Sequence, residues 1–229
     1  MKDYPSHFVA EFVGTFALVF VGGGAIAAAQ ATQMNAGLIA VALAHGIILA
    51  VAVSATMRIS GHLNPAITVG LLAARRIDAL MAVVHIVAQL AGAVLAAYAL
   101  KSLLPVSLTA ATRLGGQSVS LEISTMQAIG LEAIGTFFLA FVVCGTAVDS
   151  KGPRIGGLAI GATLAAGILA IGPFTGASLN PARSFGPALV SGVLEGQAVY
   201  WIGPILGAVL ASLLYEFVFL RREAASAAT

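Results

Sequence analysis

The chain is dominated by long apolar stretches that short polar segments separate. Six stretches have about the twenty residues that an α-helix needs to cross a bilayer. They lie at roughly 8–29, 36–57, 79–100, 124–148, 155–173 and 198–220. Two further apolar runs, at about 65–74 and 181–190, are too short to span. The pattern therefore predicts an all-α membrane protein with six transmembrane helices and two re-entrant half-helices.

The composition supports this class. Of the 229 residues, 59% are hydrophobic and only 9% are charged, whereas a soluble domain carries roughly 25% charged residues. The Lys and Arg residues form no basic patch, so we expect no nucleic-acid partner. The single cysteine, Cys144, lies in an apolar run and is expected to pack in the interior.

The two short runs begin with the same tripeptide, Asn64-Pro65-Ala66 and Asn180-Pro181-Ala182. Asn followed by Pro is typical of a helix start, because Asn can cap free N–H groups and Pro fits the first turn. A helix that begins at mid-depth in a membrane is tolerated only where its open end is buried or faces water. Two such ends predict a pore or a binding site at the bilayer centre.

A second repeat divides the chain into two halves. Residues 10–16 read Ala-Glu-Phe-Val-Gly-Thr-Phe, and residues 131–137 read Leu-Glu-Ala-Ile-Gly-Thr-Phe. We therefore expect one channel domain, residues 1–229, built from halves 1–115 and 116–229. Each half holds three spans and one half-helix after its second span. Three is an odd number, so the halves enter the membrane from opposite sides, as an inverted repeat.

The loop charges predict the orientation. Lys101 and Arg113 fall on one side of the membrane if six spans are drawn. The other side carries more basic residues, namely Lys2, Arg75, Arg76, Lys151, Arg154, Arg221 and Arg222. The positive-inside rule then places both termini in the cytoplasm. No targeting signal is evident, and the short termini favour the cell (inner or plasma) membrane.

The paired Asn residues predict how a pore would treat charge. If the half-helices meet end to end, each Asn oxygen caps its own helix and each NH2 group stays free to donate into the lumen. A central water would accept from both amides, and the positive dipole ends would repel cations. Arg183 lies about one turn beyond Asn180 and is expected to narrow the pore, because an Arg inside a membrane is a functional candidate.

The other polar residues of the spans suggest mainly structural roles. Glu11 and Glu132 are expected to accept hydrogen bonds from the backbone of the re-entrant loops, and the alternative is a proton-coupled pair in a secondary transporter. His62 is expected to line the cytoplasmic vestibule, whereas His7 and His85 are expected to be structural. No ligand spacing predicts a metal site or a catalytic triad, so we expect no enzyme activity and no cofactor.

These motifs resemble those of the aquaporin (major intrinsic protein) family over nearly the whole chain. The resemblance implies six tilted helices, two half-helices, one pore per subunit and a homotetramer in a lipid bilayer. Its substrates would be water and small uncharged solutes. Glycerol facilitators of the family carry Asp where this chain has Ser184, which disfavours that branch.

The resemblance also identifies a selectivity filter. Its four positions match His45, Ile168, Ala177 and Arg183, a set similar to that of tonoplast and ammonia-conducting aquaporins. One departure is the contiguous Ser60-Gly61-His62, where the family usually has an extra residue before the His. The effect of this shortening on the first loop is open at the level of sequence.

The expected function is a passive channel for water that also passes small neutral solutes such as ammonia, with urea and hydrogen peroxide as candidates on size. Protons and ions would be excluded. The nearest alternative is a strict water channel. A secondary transporter and a structural membrane-junction protein are the alternatives from other classes.

Overall fold

The computed structural model describes residues 3–33 and 37–220. Lys2, Arg221 and Arg222, which contributed to the predicted orientation, lie outside the described residues. Those residues form helices joined by loops, in the order α1 Tyr4–Thr32, α2 Gly37–Thr56, α3 Pro65–Ala73, α4 Ala79–Leu103, α5 Val106–Ala111, α6 Thr125–Val143, α7 Gly156–Thr175, α8 Pro181–Ser191 and α9 Gln197–Tyr215. Helices α6 and α9 each continue as one π-helical turn, Cys144–Val148 and Glu216–Leu220.

Among the described residues, six helices are long and apolar enough to cross a membrane, and they coincide with the six predicted spans. The predicted fold class is therefore confirmed. The largest difference in a boundary is at the start, where α1 begins at Tyr4, because Asp3 accepts a hydrogen bond from Ser6 N and Pro5 fits the first turn. The half-helices α3 and α8 begin at the two predicted prolines.

Equivalent helices of the two halves pack against equivalent partners. Helix α1 packs against α2 and α4, and α6 packs against α7 and α9 in the same way. Each half-helix packs against the last span of the other half, α3 on α9 and α8 on α4. This exchange of equivalent partners is what an inverted repeat requires, and it holds the two half-helices inside the bundle.

Glycines allow the central helices to approach closely. A Cβ added at Gly161 on α7 would lie 2.2 Å from the carbonyl oxygen of Gly46 on α2. A Cβ at Gly207 on α9 would lie 2.0 Å from the carbonyl oxygen of Ala133 on α6. Only glycine fits such backbone contacts, which are typical of helices that associate within membranes.

The long connection between the halves contains structure that the apolar pattern does not predict. Its six-residue helix α5 is followed by a 3-10 turn, Arg113–Gly115, which packs on α1 and α8. Lys101 donates to the carbonyl oxygen of Val190, near the end of α8. Arg76, just beyond the end of α3, instead pairs with Glu216 at 2.7 Å. Since α3 and α8 run away from a common centre, these two contacts lie at opposite ends of the molecule.

Candidate functional site

The two half-helices start with the same backbone geometry. Asn64 has φ −159° and Asn180 has φ −157°, so both are extended residues that precede a helical proline. Asn64 Oδ1 accepts from the backbone N–H of Ala66 at 2.9 Å. Asn180 Oδ1 accepts from the N–H groups of Ala182 at 3.0 Å and Arg183 at 3.3 Å. These caps orient both side-chain amides.

The two loops also bind each other across the centre. Asn64 Nδ2 donates to the carbonyl oxygen of Leu179 at 2.7 Å, and Asn180 Nδ2 donates to that of Leu63 at 2.8 Å. The expectation that each NH2 group stays entirely free is therefore wrong. A buried carbonyl needs a donor, and the residue before each Asn obtains it from the opposite Asn. Each amide keeps one N–H for the lumen.

Leu63 and Leu179 have backbone conformations that need support. Their φ angles are 50° and 52°, a left-handed region that costs roughly 1–2 kcal/mol for a residue with a side chain. The N–H of Leu63 donates to Glu11 Oε2 at 2.7 Å, and that of Leu179 donates to Glu132 Oε2 at 2.7 Å. The carboxylates thus hold both leucines so that their carbonyls face the opposite loop.

Glu11 is fully buried and is surrounded by donors from two other segments. Besides the N–H of Leu63, it accepts from Gln89 Nε2 at 2.6 Å, from the N–H of His62 at 2.8 Å and from Ser60 Oγ. The contiguous segment Ser60-Gly61-His62 therefore still binds Glu11. The one-residue shortening leaves Asn64 in hydrogen-bond contact with the other loop.

Glu132 serves the second loop in the same way. It accepts from the N–H of Ser178 at 2.9 Å and from Thr175 Oγ1 at 2.7 Å, in addition to the N–H of Leu179. Tyr200 donates to the carbonyl oxygen of Thr175 at 2.9 Å and braces that residue from α9. With their oxygens used in this way, the two carboxylates have the geometry of structural acceptors.

The glycine three residues after each glutamate also helps to accommodate the leucine of the loop. A Cβ at Gly14 would lie 2.3 Å from Leu63 Cδ2, and a Cβ at Gly135 would lie 2.6 Å from Leu179 Cδ2. One helical turn of α1 or α6 thus supplies an acceptor for the leucine N–H and space for the leucine side chain. This explains the repeat of Glu and Gly at the same spacing in segments 10–16 and 131–137.

Three of the four proposed filter residues are in direct hydrogen-bond contact. Arg183 Nη1 donates to the carbonyl oxygen of Ala177 at 3.3 Å, and Nη2 lies 2.9 Å from His45 Nε2. His45 Nδ1 lies 2.8 Å from the carbonyl oxygen of Val41, which only accepts, so this nitrogen carries the proton and Nε2 accepts from Arg183. Ile168 is buried in the same apolar cluster as Ala177.

Two further features of this constriction matter to a solute. Arg183 Nε is buried and makes no hydrogen bond to the described residues, so it remains a donor. The sequence did not identify Gly22 on α1 as a neighbour of this constriction. In the structure Gly22 packs against His45, because a Cβ at this position would lie 2.2 Å from His45 Nε2. The run of glycines at 22–24 was a signal of close packing, but not of contact with an imidazole.

A narrow cavity runs past both Asn residues. It has a volume of about 10 Å³, room for roughly one water, and its lining includes Asn64, Asn180, Ile67 and Arg183. Most of the other lining residues are apolar, namely Leu18, Leu49, Leu139, Val143, Ile160 and Leu164. A second cavity of about 230 Å³, which we call the vestibule, shares His62 with the first. The two cavities therefore meet at the first re-entrant loop.

His7 and His85 also line the vestibule, and their contacts were not predicted. His85 Nδ1 lies 3.2 Å from His62 Nδ1, and His85 Nε2 lies 3.0 Å from His7 Nδ1. These residues come from α4, the first re-entrant loop and α1. Sequence spacing carries no signal for such a cluster, because it depends on which helices are neighbours. The only hint is that His85 precedes Gln89 by one helical turn, on the face that contacts Glu11.

Comparisons with known proteins agree with this geometry. A family model described as "Major intrinsic protein" matches residues 2–215. Aquaporin TIP1-2 of Zea mays is 45% identical over 221 residues, covering 93% of this chain and 85% of the relative. Aquaporin TIP2-1 of Arabidopsis thaliana is 42% identical over 222 residues, with coverages of 93% and 87%. The X-ray structure of the aquaglyceroporin from Plasmodium falciparum superimposes with a TM-score of 0.84 at 26% identity, covering 96% of this chain and 98% of that one.

Proposed function

Because the chain belongs to the major intrinsic protein family, we propose that its pore conducts water and ammonia while excluding protons and ions. Family membership makes it a passive membrane channel for water and small solutes rather than an enzyme. The proposal concerns the finer solute range. The observation that carries it is the constriction in which Arg183 contacts both His45 and Ala177.

The midplane supports exclusion of protons. Asn64 and Asn180 each have one N–H left to donate, and both residues line the narrow cavity. A water there accepts from both amides, so its own hydrogens point along the pore and away from the centre. It has no lone pair left for a proton from a neighbouring water. The N-terminal dipole ends of α3 and α8 add a barrier to cations.

The outer constriction supports passage of ammonia. His45 Nε2 already accepts from Arg183, so this ring has no free N–H to offer a solute. Arg183 Nε is a buried donor that makes no hydrogen bond to the described residues, and Ile168 and Ala177 provide apolar contacts. Ammonia has one lone pair, which a single donor satisfies, whereas water accepts two hydrogen bonds. A partly apolar constriction should therefore penalise ammonia less than it penalises water. Urea and hydrogen peroxide are further candidates on size.

The test is ammonia flux into vesicles that contain the purified protein, followed with an internal pH dye. We expect a flux above that of protein-free vesicles, and a lower flux when His45→Phe is combined with Ile168→His. Leu169→Phe, at a half-exposed position next to Ile168, is the matched control that should retain ammonia flux. A wild-type channel that conducts water but no more ammonia than empty vesicles contradicts the proposal and leaves a strict water channel.

A second test addresses the midplane. Asn64→Asp and Asn180→Asp each remove an NH2 donor and place a carboxylate at the positive ends of two helices. We expect each variant to lose osmotic water flux, measured by stopped-flow light scattering, or to gain a cation leak. Both readings are normalised to the protein content of the vesicles. Unchanged water flux and ion exclusion in both variants would show that these amides do not control the pore.

The transporter alternative has a separate measurement. Glu11 accepts four hydrogen bonds and Glu132 accepts three, which leaves little capacity for a proton that shuttles between states. Solute flux should therefore follow its own gradient with a low activation energy. Dependence of the flux on a proton or sodium gradient would support a secondary transporter instead.

Assembly and location complete the proposal. We propose a homotetramer with one pore per subunit in the cell membrane and with both termini in the cytoplasm. Exposed apolar side chains recur every four residues along α2 and suit contact with lipid or a neighbouring subunit, namely Ile39, Leu43, Ile47 and Val51. Native mass spectrometry tests the stoichiometry. Membrane fractionation tests the location, because the plant relatives are named for the tonoplast, and enrichment in a vacuolar membrane would contradict a cell-membrane site.

A further inference from the structure

A compact group of possible metal ligands lies beside the vestibule, which His62 and His85 line. His62 Nδ1 and His85 Nδ1 lie 3.2 Å apart, and His85 Nδ1 lies 4.0 Å from Glu11 Oε1. One ligand atom from each of these three residues lies within 4.8 Å of the other two. They come from α1, the first re-entrant loop and α4, so the fold alone brings them together.

We propose that Glu11, His62 and His85 bind one Zn²⁺ ion, with a vestibule water as the fourth ligand. Two imidazoles and a carboxylate form a donor set that zinc accepts, and an open fourth position is usual where three protein ligands are present. Zinc–ligand bonds of about 2.0–2.1 Å in a tetrahedron separate neighbouring ligand atoms by roughly 3.3 Å. The distance of 3.2 Å between the imidazole nitrogens fits this value. Glu11 Oε1 lies 4.0 Å from His85 Nδ1, so it has to move closer and to give up its hydrogen bond from Ser60 Oγ when zinc binds.

The hydrogen bonds around the ligands favour this site. Thr68 Oγ1 donates to the carbonyl oxygen of Asn64 and accepts from Gln89 Nε2. It therefore meets His62 Nδ1, 3.0 Å away, as an acceptor, and His62 carries its proton on Nδ1 when no metal is bound. His85 Nδ1 then faces His62 with a free lone pair. Zinc binding requires one tautomer change, in which the proton of His62 moves to Nε2.

His7 positions the second imidazole. When His85 binds through Nδ1, its Nε2 carries the proton and donates to His7 Nδ1 at 3.0 Å, with Ser60 Oγ at 3.3 Å as a further neighbour. Such outer hydrogen bonds orient a ligating imidazole, and their loss typically lowers metal affinity about 10–100-fold. The vestibule, which these residues line, is the path by which an ion reaches the ligands.

The location of the ion has a consequence for transport, and this step rests on the proposed function. His62 borders both the vestibule and the narrow cavity that contains Asn64 and Asn180. A zinc ion with its water would stand where the wide part of the pore meets the narrow part. Bound zinc should therefore reduce water flux from this end of the channel, and its removal by EDTA should restore the flux.

Binding is tested first and without transport. Calorimetric titration of the full chain in detergent with ZnCl2 should give one site per subunit. The affinity should fall by more than about 100-fold in His85→Gln, which removes a ligand, and about tenfold in His7→Gln. Cys144→Ala removes the only cysteine and should bind like wild type. Absence of wild-type binding, unchanged binding by His85→Gln or lost binding by Cys144→Ala would each overturn the site.

A spectrum of the wild type keeps the proposal testable if His85→Gln does not fold. Cobalt(II) in place of zinc should give the visible absorption of a four-coordinate site without a thiolate charge-transfer band. A six-coordinate spectrum or a thiolate band would overturn the assignment.

Transport is tested second, by stopped-flow light scattering on vesicles with ZnCl2, with MgCl2 and after EDTA. Only zinc should slow the wild type, and His85→Gln should resist zinc relative to its own metal-free rate. If zinc binds in calorimetry but does not slow water flux, the proposed occlusion is wrong and the metal site stands. If the wild type conducts no water even without metal, the proposed function fails, and calorimetry alone then decides the metal site.

Discussion

The two re-entrant loops have nearly the same backbone but different side chains along the pore. In both, an extended Asn follows a leucine with positive φ, and a buried glutamate accepts the leucine N–H. Three residues after each Asn, however, the first half has Ile67 and the second has Arg183, and both line the narrow cavity. The repeated residues therefore build the support, whereas the residues that differ give each end its own chemistry.

The surroundings of the two carboxylates, Glu11 and Glu132, also differ between the two halves. Glu11 is fully buried, accepts from Gln89 and lies 4.0 Å from His85, which lines the open vestibule. Glu132 accepts from Thr175, which Tyr200 braces in the interior. The proposed pore is therefore wide at one end, where imidazoles, apolar groups and Arg76 line the vestibule, and it is narrowed at the other end by the guanidinium of Arg183.

The largest expected effect comes from removing the shared support. Glu11→Ala leaves four buried donors without their acceptor, and Glu132→Ala leaves three. Each unsatisfied donor costs about 1–3 kcal/mol, so each variant should lose roughly 3 kcal/mol or more of stability. We expect little folded protein by size-exclusion chromatography and no water flux. Glu122→Gln, at an exposed loop position, is the control. A folded, conducting variant at either site would mean that the two loops do not depend on the same support.

The second effect separates the loops. Arg183→Val removes the buried positive charge and widens the outer constriction, so cation leak and urea flux should rise while water flux persists. Ile67→Val, at the equivalent position of the first loop, should leave ion exclusion and solute range unchanged. Conductance measures the cation leak of both variants, and vesicle shrinkage in a urea gradient measures their urea flux. Equal changes in the two variants would contradict the view that selectivity lies in the second loop.

The smallest effect tests the equivalence of the supports. Gly14→Ala and Gly135→Ala place a Cβ 2.3 Å and 2.6 Å from a leucine methyl carbon, and such overpacking costs about 1–3 kcal/mol. Both variants should melt at lower temperature than wild type in a thermal-shift assay, by similar amounts. Gly130→Ala, on the same helix as Gly135 but with no atom within 4 Å of the added Cβ, should not. A lower melting temperature for only one of the first two would show that the loops are packed differently.

Much of the fold follows from the pattern of apolar residues, because a bilayer imposes a minimum length on every span. The six spans and the two half-helices lie where the sequence predicts them, and at both half-helices Asn followed by Pro marks the start. The short helix Val106–Ala111 was not predicted, because a six-residue helix is held by its contacts rather than by a periodic pattern.

By itself, the sequence determined the class of protein and predicted its two halves and the residues at the centre, because repeated motifs and hydropathy are local properties of the chain. Only the tertiary structure decided how those residues meet: the hydrogen bond from Asn64 to Leu179 across 115 positions, the contact of Arg183 with His45, and the approach of His85 to His62. Hydrogen bonds depend on distance and angle between groups from separate helices. Those quantities are settled when the helices pack, and no spacing along the chain encodes them directly.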